Sequence, residues 1–468
     1  MKLLARFGRG LVVHFRLILV TLAALLVRLN WNLVVHNPAD FAYSDMGGYV
    51  DRANQMLKWP WAPKAYFTLF PYGTHAFIFV VKLLGGRDNK AALGVAFALL
   101  GTLAVAYTYA TVERFTQRRW VWLLSGALLI FYYPWISLGG YALSETPFAA
   151  AVAATGFYAL RLADKGRKRD AWLLGLFLAL GTIVRPQHLV SAVFLVGHYL
   201  LRRQSWKNFH RGLWIRVAIP LGLILAVSSV RLYWHTSKQW KGGMIGLVST
   251  NGPLNYAFGR CHATNIEAIS KEGKGFFGPP PFGALLSFTK DKNKRVTPIL
   301  PLDPAMGETV KFNGHMWDAK PLYEVAHACV EKSGYWRQAK YAMTHVVLLW
   351  GYNIIWPDQG QKPQFREPMM LWCAAHLIAI LPPAAIWLLL AFRRKHARIM
   401  LLGLHVWAEV VVAMLYFGDT RYRAPYDGLL IILAALGYVT LLAWLFRTLR
   451  NGRRDRVPKR RSPLRAAS

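Results

Sequence analysis

Long apolar runs recur along the chain and are separated by short basic segments. A helix of about 20 apolar residues can cross the ~30 Å hydrocarbon core of a bilayer. Eight runs approach that length, namely 11–29, 91–112, 120–136, 141–162, 213–234, 369–392, 399–417 and 424–446. A further stretch, 171–201, is too long for one crossing and is interrupted by Arg185-Pro186. We therefore predict two short helices there, 171–184 and 187–201, with a turn between them.

Basic residues lie between the apolar runs. Six clusters hold 30 of the 57 Lys and Arg residues, at 2–16, 114–119, 161–169, 202–216, 393–398 and 447–465. Short basic segments beside membrane spans lie in the cytoplasm, so an even number of crossings must separate consecutive clusters. This predicts about ten spans, within a range of 9–12, with both termini cytoplasmic. The net charge of +35 follows from this topology, and we expect no nucleic-acid partner because no base-stacking motif accompanies the charge.

Composition agrees with an all-α polytopic membrane protein, since 55% of the residues are apolar and only 17% are charged. Residues 1–446 are predicted to form one transmembrane domain, and 447–468 a disordered basic tail in the cytoplasm. Two predicted extracytoplasmic loops within the domain, 30–90 and 235–342, are longer than connections need to be. The sequence of the second loop does not suggest a recognisable domain.

Short apolar stretches and cysteines mark these loops. The stretch 77–84 is too short to span and predicts an interfacial or re-entrant helix, and 342–356 predicts another surface-lying helix. Cys261 and Cys329 both fall in the second loop, where an oxidising compartment would permit a disulfide. Their separation in sequence does not decide whether they pair.

Two arginines lie inside predicted spans. Arg28 ends the first apolar run, and no small-residue cleavage site follows it, so an uncleaved first span is favoured over a signal peptide. Arg28 and Arg231 both lie near helix ends, where a long side chain can snorkel to the membrane interface.

Two acids lie where spans are predicted to meet the extracytoplasmic face. Asp45 follows the first span, and Glu145 follows Ser144 at the start of another. Ionisable residues at membrane depth are costly, so each is a functional candidate. Asp45 is either a cap on a helix start or a general base facing a cavity. Glu145, with Ser144 before it and Pro147 after it, also fits an ordinary helix start.

Basic side chains recur at the same predicted face. Arg185 and His188 lie at the turn between two short helices, and Arg421, Tyr422 and Arg423 lie between the last two spans. Arginines on a tight loop with a tyrosine suit a planar anion such as phosphate or carboxylate. A solvated loop with an internal Asp–Arg ion pair is the alternative for the second group.

One acid and several arginines at one membrane face suit the transfer of a sugar from a lipid phosphate. The acceptor hydroxyl must lose a proton as it attacks the anomeric carbon, and the departing phosphate must have its growing charge stabilised. A single base fits a one-step inverting displacement without a covalent enzyme intermediate. A lipid donor would explain a site at the bilayer surface.

The chain resembles the GT-C membrane glycosyltransferases, in the branch of dolichyl-phosphate-mannose protein mannosyltransferases and the lipid A aminoarabinose transferase. That branch carries Asp-Glu-x-x-Tyr-x-x-x-Ala after its first span. Here the motif stands as Asp45-Met46-Gly47-Gly48-Tyr49-Val50-Asp51-Arg52-Ala53. The resemblance extends over most of 10–446 through Pro71-Tyr72-Gly73, Leu84-Gly85-Gly86, Ser144-Glu145-Thr146-Pro147, Val184-Arg185-Pro186 and Gly418-Asp419-Thr420-Arg421-Tyr422-Arg423-Ala424-Pro425.

By this resemblance Asp45 is the expected catalytic base, and Arg185, Arg421 and Arg423 are candidates for the lipid phosphate. The sequence departs from the motif at Met46, where many relatives carry a second acid, and the departure weakens the case for a divalent metal there.

The candidate site also includes other residues of the motifs. Glu145 is a second catalytic candidate, and Tyr49, Arg52, His188 and Tyr422 are substrate-binding candidates. No cofactor is expected.

The resulting hypothesis is an inner-membrane glycosyltransferase with its active site facing the periplasm or an equivalent lumen. It would use a polyprenyl-phosphate sugar and a hydroxyl of a glycolipid, envelope polysaccharide or protein. Alternatives are a transporter or flippase of lipid-linked saccharides, a polymerase or ligase of such saccharides, and a structural subunit. A transporter would place ionisable residues near mid-membrane, whereas nearly all of those here are predicted at the outer ends of spans.

Overall fold

A computed structural model describes residues 2–60, 68–206, 208–237, 246–261, 266–269, 275–278, 310–351, 353–393 and 396–455. The disordered tail predicted at 447–468 is wrong for residues 447–455, which continue the last helix. Residues 456–468 and much of the second loop lie outside the described residues. The α-helices are α1 (Lys2–Asn30), α2 (Ser44–Lys58), α3 (Gly73–Gly85), α4 (Lys90–Phe115), α5 (Arg119–Phe131), α6 (Tyr133–Gly139), α7 (Glu145–Lys165), α8 (Lys168–Val184), α9 (His188–Leu201), α10 (Gly212–Ser237), α11 (Gly252–Arg260), α12 (Ala319–Trp350), α13 (Pro363–Ala375), α14 (Leu381–Leu390), α15 (Ala397–Leu415), α16 (Thr420–Arg423) and α17 (Asp427–Asp455). Short π-helices at Trp31–Val35 and His376–Ile380 continue α1 and join α13 to α14.

The apolar runs predict the helices well. In the described residues, seven helical segments are long and apolar enough to cross a membrane: His14–Val35, Lys90–Phe115, Arg119–Gly139, Gly212–His235, Pro363–Leu390, Ala397–Leu415 and Thr420–Thr448. The other three predicted spans are also helical, as α7, α8 and α9, but are shorter or less apolar. The predicted break at Arg185-Pro186 is confirmed, because α8 ends at Val184 and α9 begins at His188. The chain is an integral membrane protein built of helices.

The alanine-rich helix α7 lies at the centre of the bundle. Almost all of its side chains are buried, and it packs against α4 and α8. Small side chains let helix backbones approach closely. Close packing stabilises helix–helix association inside a bilayer, where the hydrophobic effect does not drive it. Helix α1 packs on α4, and α10 packs on α8. This packing holds the start of α7 rigidly at one end of the bundle.

The second loop contains structure that the sequence pattern did not predict. Three short strands, β1 (Ile266–Ile269), β2 (Gly275–Gly278) and β3 (Val310–Asn313), form a sheet in the order β2-β1-β3, with β2 antiparallel and β3 parallel to β1. The predicted helix at 342–356 is not a separate element, because it belongs to α12, which is kinked at Gly334 and ends at Trp350. The predicted helix at 77–84 is confirmed as part of α3.

A disulfide joins Cys261 after α11 to Cys329 in α12. It lies in a hydrophobic cluster with side chains of both helices and of the sheet. The pairing that the sequence left open is therefore made in the structure, and it ties α11 to α12.

The expectation that Arg28 and Arg231 extend their side chains to the membrane interface is wrong. The Arg28 side chain is 1% exposed and donates to the carbonyl oxygens of Ala24 and Leu129, at 3.3 and 3.4 Å. Arg231 turns inward, with one guanidinium nitrogen 3.2 Å from the His75 ring. Packing against neighbouring helices gives these cations protein partners instead of headgroups.

Candidate active site

Four helix ends meet at one end of the bundle. Asp45 lies in the first turn of α2, Glu145 is the first residue of α7, Arg185 directly follows α8, and Arg421 lies in the short α16. Each side chain is therefore placed by a helix terminus rather than along a span. The structure thus brings together four of the residues that the sequence pattern singled out.

These side chains form a continuous chain of ion pairs. Glu145 Oε1 accepts from Arg185 Nη2 at 2.5 Å and also from Arg421 Nε. Arg421 Nη1 donates in turn to Asp45 Oδ2 at 3.1 Å. The Asp45 side chain is 31% exposed, whereas that of Glu145 is 1% exposed. Two carboxylates and two guanidinium groups balance in charge, and Asp45 is the more accessible of the two acids.

Both arginines are also held by contacts outside the ion pairs. Asp419 caps α16 and accepts from the backbone N–H of Arg421 at 2.7 Å. Burial raises the pKa of the Asp419 carboxyl, against the effect of this hydrogen bond and of the Arg421 charge. The Arg421 guanidinium lies 4.5 Å from the centre of the Trp356 ring, and that of Arg185 lies 5.0 Å from the centre of the Tyr422 ring. Aromatic faces of this kind stabilise a guanidinium without neutralising it.

The structure contradicts the interpretation of Asp45 as a helix cap. The N-cap of α2 is Tyr43, and the Asp45 carboxylate bonds to Arg421 rather than acting as the cap. Ser44, next to it, has φ of 48°, a conformation that costs energy for a non-glycine residue and is found at constrained sites. Ser144 precedes α7 as expected, but its hydroxyl accepts from Arg185 Nε at 3.1 Å instead of capping the helix.

A cavity of about 540 Å³ opens beside the ion pairs. Asp45, Arg185 and Arg421 line it, but Glu145 does not. Further lining comes from Tyr49, Phe70, Ser144, Gln187, Tyr422 and, from the second loop and α12, from 246–258 and Tyr323. Its volume lies within the range usual for small-molecule sites. Glu145 can therefore affect a bound molecule only through the two arginines that it holds.

Tyr49 forms part of the cavity wall between Asp45 and the interior. Burial raises the pKa of its hydroxyl to about 12, and the negative charges of Asp45 and Glu145 act in the same direction. The hydroxyl is therefore a hydrogen-bond donor at neutral pH, not a proton acceptor for catalysis. Tyr422 lines the same cavity beside Arg185.

Besides Glu145, three predicted site residues do not line the cavity. Arg423 is 1% exposed and pairs with Asp427, 3.2 Å away, in the bundle core. His188 is buried, with its Nε2 3.1 Å from the Thr155 hydroxyl. Arg52 is 1% exposed and its guanidinium lies 4.6 Å from the centre of the Phe70 ring. None of the three lies where it could contact a ligand in this cavity without rearrangement.

Two buried acids were not singled out from the sequence. Glu409 lines the cavity from α15, and the signal that could have identified it is an acid in the middle of an apolar run. Asp358 accepts hydrogen bonds from Ser137 and Tyr141, each at 2.5 Å. Burial raises the pKa of Asp358 to about 6. It begins a short 3₁₀ helix, Asp358–Gly360, with no motif around it, so only the fold reveals its partners.

No group of three or more His, Cys, Asp or Glu side chains in the described part of the chain could hold a metal ion. Asp45 and Glu145 are bridged by Arg421, so an arginine occupies the position between the acids.

Comparison with known proteins matches part of the chain to a family. Residues 71–234 match the family model of dolichyl-phosphate-mannose-protein mannosyltransferases. The predicted resemblance to the mannosyltransferase branch is confirmed for that segment. The matched segment contains Glu145 and Arg185 but neither Asp45 nor Arg421. No curated protein matches the chain significantly.

Two solved structures align with most of the chain. They are ArnT from Cupriavidus metallidurans in the apo state and the same protein bound to undecaprenyl phosphate. Each is 14% identical, and the alignments cover 92% of this chain and 77% and 78% of the respective ArnT chains. The TM-score is 0.37 in both cases.

Proposed function

We propose that this glycosyltransferase moves a sugar from a polyprenyl-phosphate donor to an acceptor hydroxyl, with Asp45 as the general base. The observation that carries the proposal is that the partly exposed Asp45 carboxylate and two arginines line one cavity. A base must reach the acceptor hydroxyl while cations stand near the leaving group. The family match of residues 71–234 supports the same reaction class.

The proposed step inverts the anomeric carbon. The acceptor hydroxyl gives its proton to Asp45 as its oxygen forms a bond to the anomeric carbon. The bond from that carbon to the phosphate oxygen breaks, and its electron pair stays on the phosphate. Only one carboxylate is needed for this displacement, and Glu145 is unsuited to act as a second because it is buried behind the arginines.

Arg185 and Arg421 are proposed to face the departing phosphate. Each already shares Glu145, so neither has a full free charge in the resting state. They are therefore suited to stabilise charge that develops during the reaction. Arg423 is proposed to stabilise the bundle instead, because its partner is the buried Asp427.

We infer that the site faces the extracytoplasmic side of the bacterial inner membrane, with both termini in the cytoplasm. Two features support this orientation. The basic segments lie between the predicted spans as the positive-inside rule requires. The Cys261–Cys329 disulfide joins α11 to α12, which both contribute to the cavity, and such bonds persist in oxidising compartments. The acceptor is proposed to be a hydroxyl of a glycolipid, an envelope polysaccharide or a protein.

The test compares Asp45→Asn with Asp51→Asn, an exposed acid on the same helix, in cells that lack the chromosomal gene. Lipid-linked sugars and envelope glycans are measured by mass spectrometry after equal membrane expression is verified. We expect the Asp45 variant to accumulate the donor and lose a glycan, and the Asp51 variant to resemble wild type. Unchanged glycans in the Asp45 variant would reject the base. If the deletion strain and both variants keep all glycans, the transfer reaction is rejected and a structural role is favoured.

A further inference from the structure

The acid Glu409 lies on α15, a helix long and apolar enough to cross the membrane. Its side chain is 3% exposed and reaches the wall of the cavity. Val412 and Tyr416, which follow on the same face of the helix, line that wall as well. Ionisable side chains at membrane depth are costly and are functional candidates by default. No role proposed above uses Glu409.

The Glu409 carboxyl has an unused hydrogen-bond acceptor. The Tyr426 hydroxyl donates to this carboxyl, which forms no ion pair within the described residues. The Oε2 atom of Glu409 is buried and has no hydrogen-bond partner in that part of the chain. Buried polar atoms almost always have a partner, so an orphaned one points to a ligand or a water molecule.

The carboxyl group can present this acceptor to the cavity. The last bond of a glutamate side chain rotates over a broad range, so the two oxygens can exchange places. One oxygen can then accept from a ligand at the cavity wall while the other keeps the Tyr426 hydroxyl. Glu409 thus adds a hydrogen-bond acceptor to a chamber that is also lined by Asp45, Arg185 and Arg421.

The charge near Glu409 restricts the kind of group that it can bind. Arg185 is close enough for its positive charge to act on the Glu409 carboxyl. This guanidinium would weaken the attraction of the carboxyl for an ammonium group, because the two cations repel each other. A hydroxyl donates a hydrogen bond without adding charge. Glu409 is therefore suited to a neutral hydroxyl group rather than to a cation.

We propose that Glu409 accepts a hydrogen bond from a hydroxyl of the donor sugar and so helps to select the sugar that is transferred. The inference rests on the proposed function, in which Arg185 faces the phosphate that carries this sugar. A sugar joined to that phosphate lies close to Arg185, as Glu409 does. The acceptor hydroxyl is instead expected beside Asp45. A sugar that lacks the matching hydroxyl should bind weakly, because it leaves the buried acceptor unpaired.

The test measures the binding of donor analogues, which needs no acceptor. The purified full chain in a neutral detergent is titrated with farnesyl phosphate, alone or joined to the anomeric carbon of mannose, glucose, galactose, arabinose or glucosamine. We expect one neutral sugar to increase the affinity about tenfold or more over farnesyl phosphate. Glu409→Met keeps the length of the side chain and removes both oxygens. It should weaken binding of that sugar by about tenfold to a hundredfold and leave binding of farnesyl phosphate unchanged.

Deoxy sugars and control variants separate this contact from an effect on folding. One monodeoxy derivative of the preferred sugar should bind wild type as weakly as the parent sugar binds Glu409→Met. The variant should not weaken that derivative further, because both changes remove the same contact. Glu409→Gln keeps one oxygen and should recover part of the affinity, and it replaces Glu409→Met if the latter does not fold. His405→Gln changes a buried residue one turn earlier on α15, outside the cavity lining, and should bind as wild type does.

Three results would overturn the inference: no sugar that binds tighter than farnesyl phosphate, equal sugar affinity in wild type and the Glu409 variants, or a preference for glucosamine that Glu409→Met abolishes. The outcome is distinguishable from that of the catalytic proposal, since Asp45→Asn should still discriminate among sugars while it fails to transfer one. If Asp45→Asn transfers sugar but Glu409→Met loses discrimination, the base is wrong and the sugar contact stands. If Asp45→Asn is inactive and Glu409→Met discriminates as wild type does, the reverse holds.

Discussion

The two acids of the cluster should respond differently to neutralisation. Asp45→Asn removes a carboxylate that is 31% exposed and has one ion pair, to Arg421. Glu145→Gln removes a carboxylate that is 1% exposed and holds both Arg185 and Arg421. Each substitution preserves size and removes one negative charge. The difference in burial and in partners therefore determines the expected effects on stability.

The magnitudes follow from the environment of each charge. An exposed or half-exposed ion pair contributes about 1 kcal/mol or less to stability. Asp45→Asn should therefore change the free energy of unfolding little, particularly because the ion pair between Arg421 and Glu145 remains. Removing one member of a buried pair costs about 3–5 kcal/mol because the partner charge remains buried. Glu145→Gln leaves Arg185 buried without its anionic partner, whereas Arg421 keeps Asp45, so the cost should fall within that range. Loss of a general base should lower turnover in Asp45→Asn by about 10²–10⁴-fold.

The assay combines thermal unfolding of the purified chain in detergent with single-turnover transfer at matched protein concentration. Glu324→Gln, an exposed acid on α12, is the control for a Glu to Gln change. We expect Asp45→Asn to melt like wild type and to be inactive, and Glu145→Gln to melt much earlier. An Asp45→Asn protein that is strongly destabilised, or a Glu145→Gln protein as stable as wild type, would refute the assignment of the two roles.

Further predictions concern stability outside the cavity. The pKa of Asp358 is about 6 in the folded chain and near 4 in the unfolded chain, so its protonated form stabilises the fold below pH 4. About 3 kcal/mol of this stability should be lost as the pH rises from 4 through 6. Melting curves of Asp358→Asn between pH 4 and 7 should lack this loss, and a pH dependence equal to that of wild type would contradict the prediction. The disulfide joins residues 68 positions apart in sequence, so replacing Cys261 and Cys329 together by Ser should lower the free energy of unfolding by about 4 kcal/mol. The variant should have a lower melting temperature than wild type, and a reductant should no longer change it. Arg423→Gln should reduce stability by about 3–5 kcal/mol because it removes the guanidinium that pairs with the buried Asp427 carboxylate, which keeps a hydrogen bond from the Tyr132 hydroxyl. Wild-type stability with lost transfer would instead place Arg423 in the reaction.

Helices were predictable from the sequence because apolar length is a local property. The break at Arg185-Pro186 was predictable for the same reason, since proline cannot continue a helix and disfavours it at the preceding residue. The position of Asp45 near a helix start also followed from local pattern. In each case a few neighbouring residues decide the conformation.

The pairing of charges was not predictable. Glu145 and Arg421 are 276 residues apart, and nothing in either local sequence indicates that one accepts from the other. The local sequence of Arg423 resembles that of Arg421, two residues before it, yet α16 turns the first arginine toward the cavity and the second toward Asp427 in the core. The direction in which a side chain leaves a short helix depends on the packing of the whole bundle, which the sequence pattern does not contain.

The arrangement of the cluster suits the charge movement that the proposed reaction requires. As Asp45 takes the acceptor proton it becomes neutral, and the leaving phosphate gains one negative charge at the same moment. Arg421, which is bonded to Asp45 and lines the same cavity, then loses one of its two anionic partners just as a new anion forms beside it. Glu145 keeps Arg421 in place during this exchange because it is buried and does not face the substrate. The number of positive and negative charges around the cavity is thus the same before and after transfer, so little reorganisation is needed at the transition state.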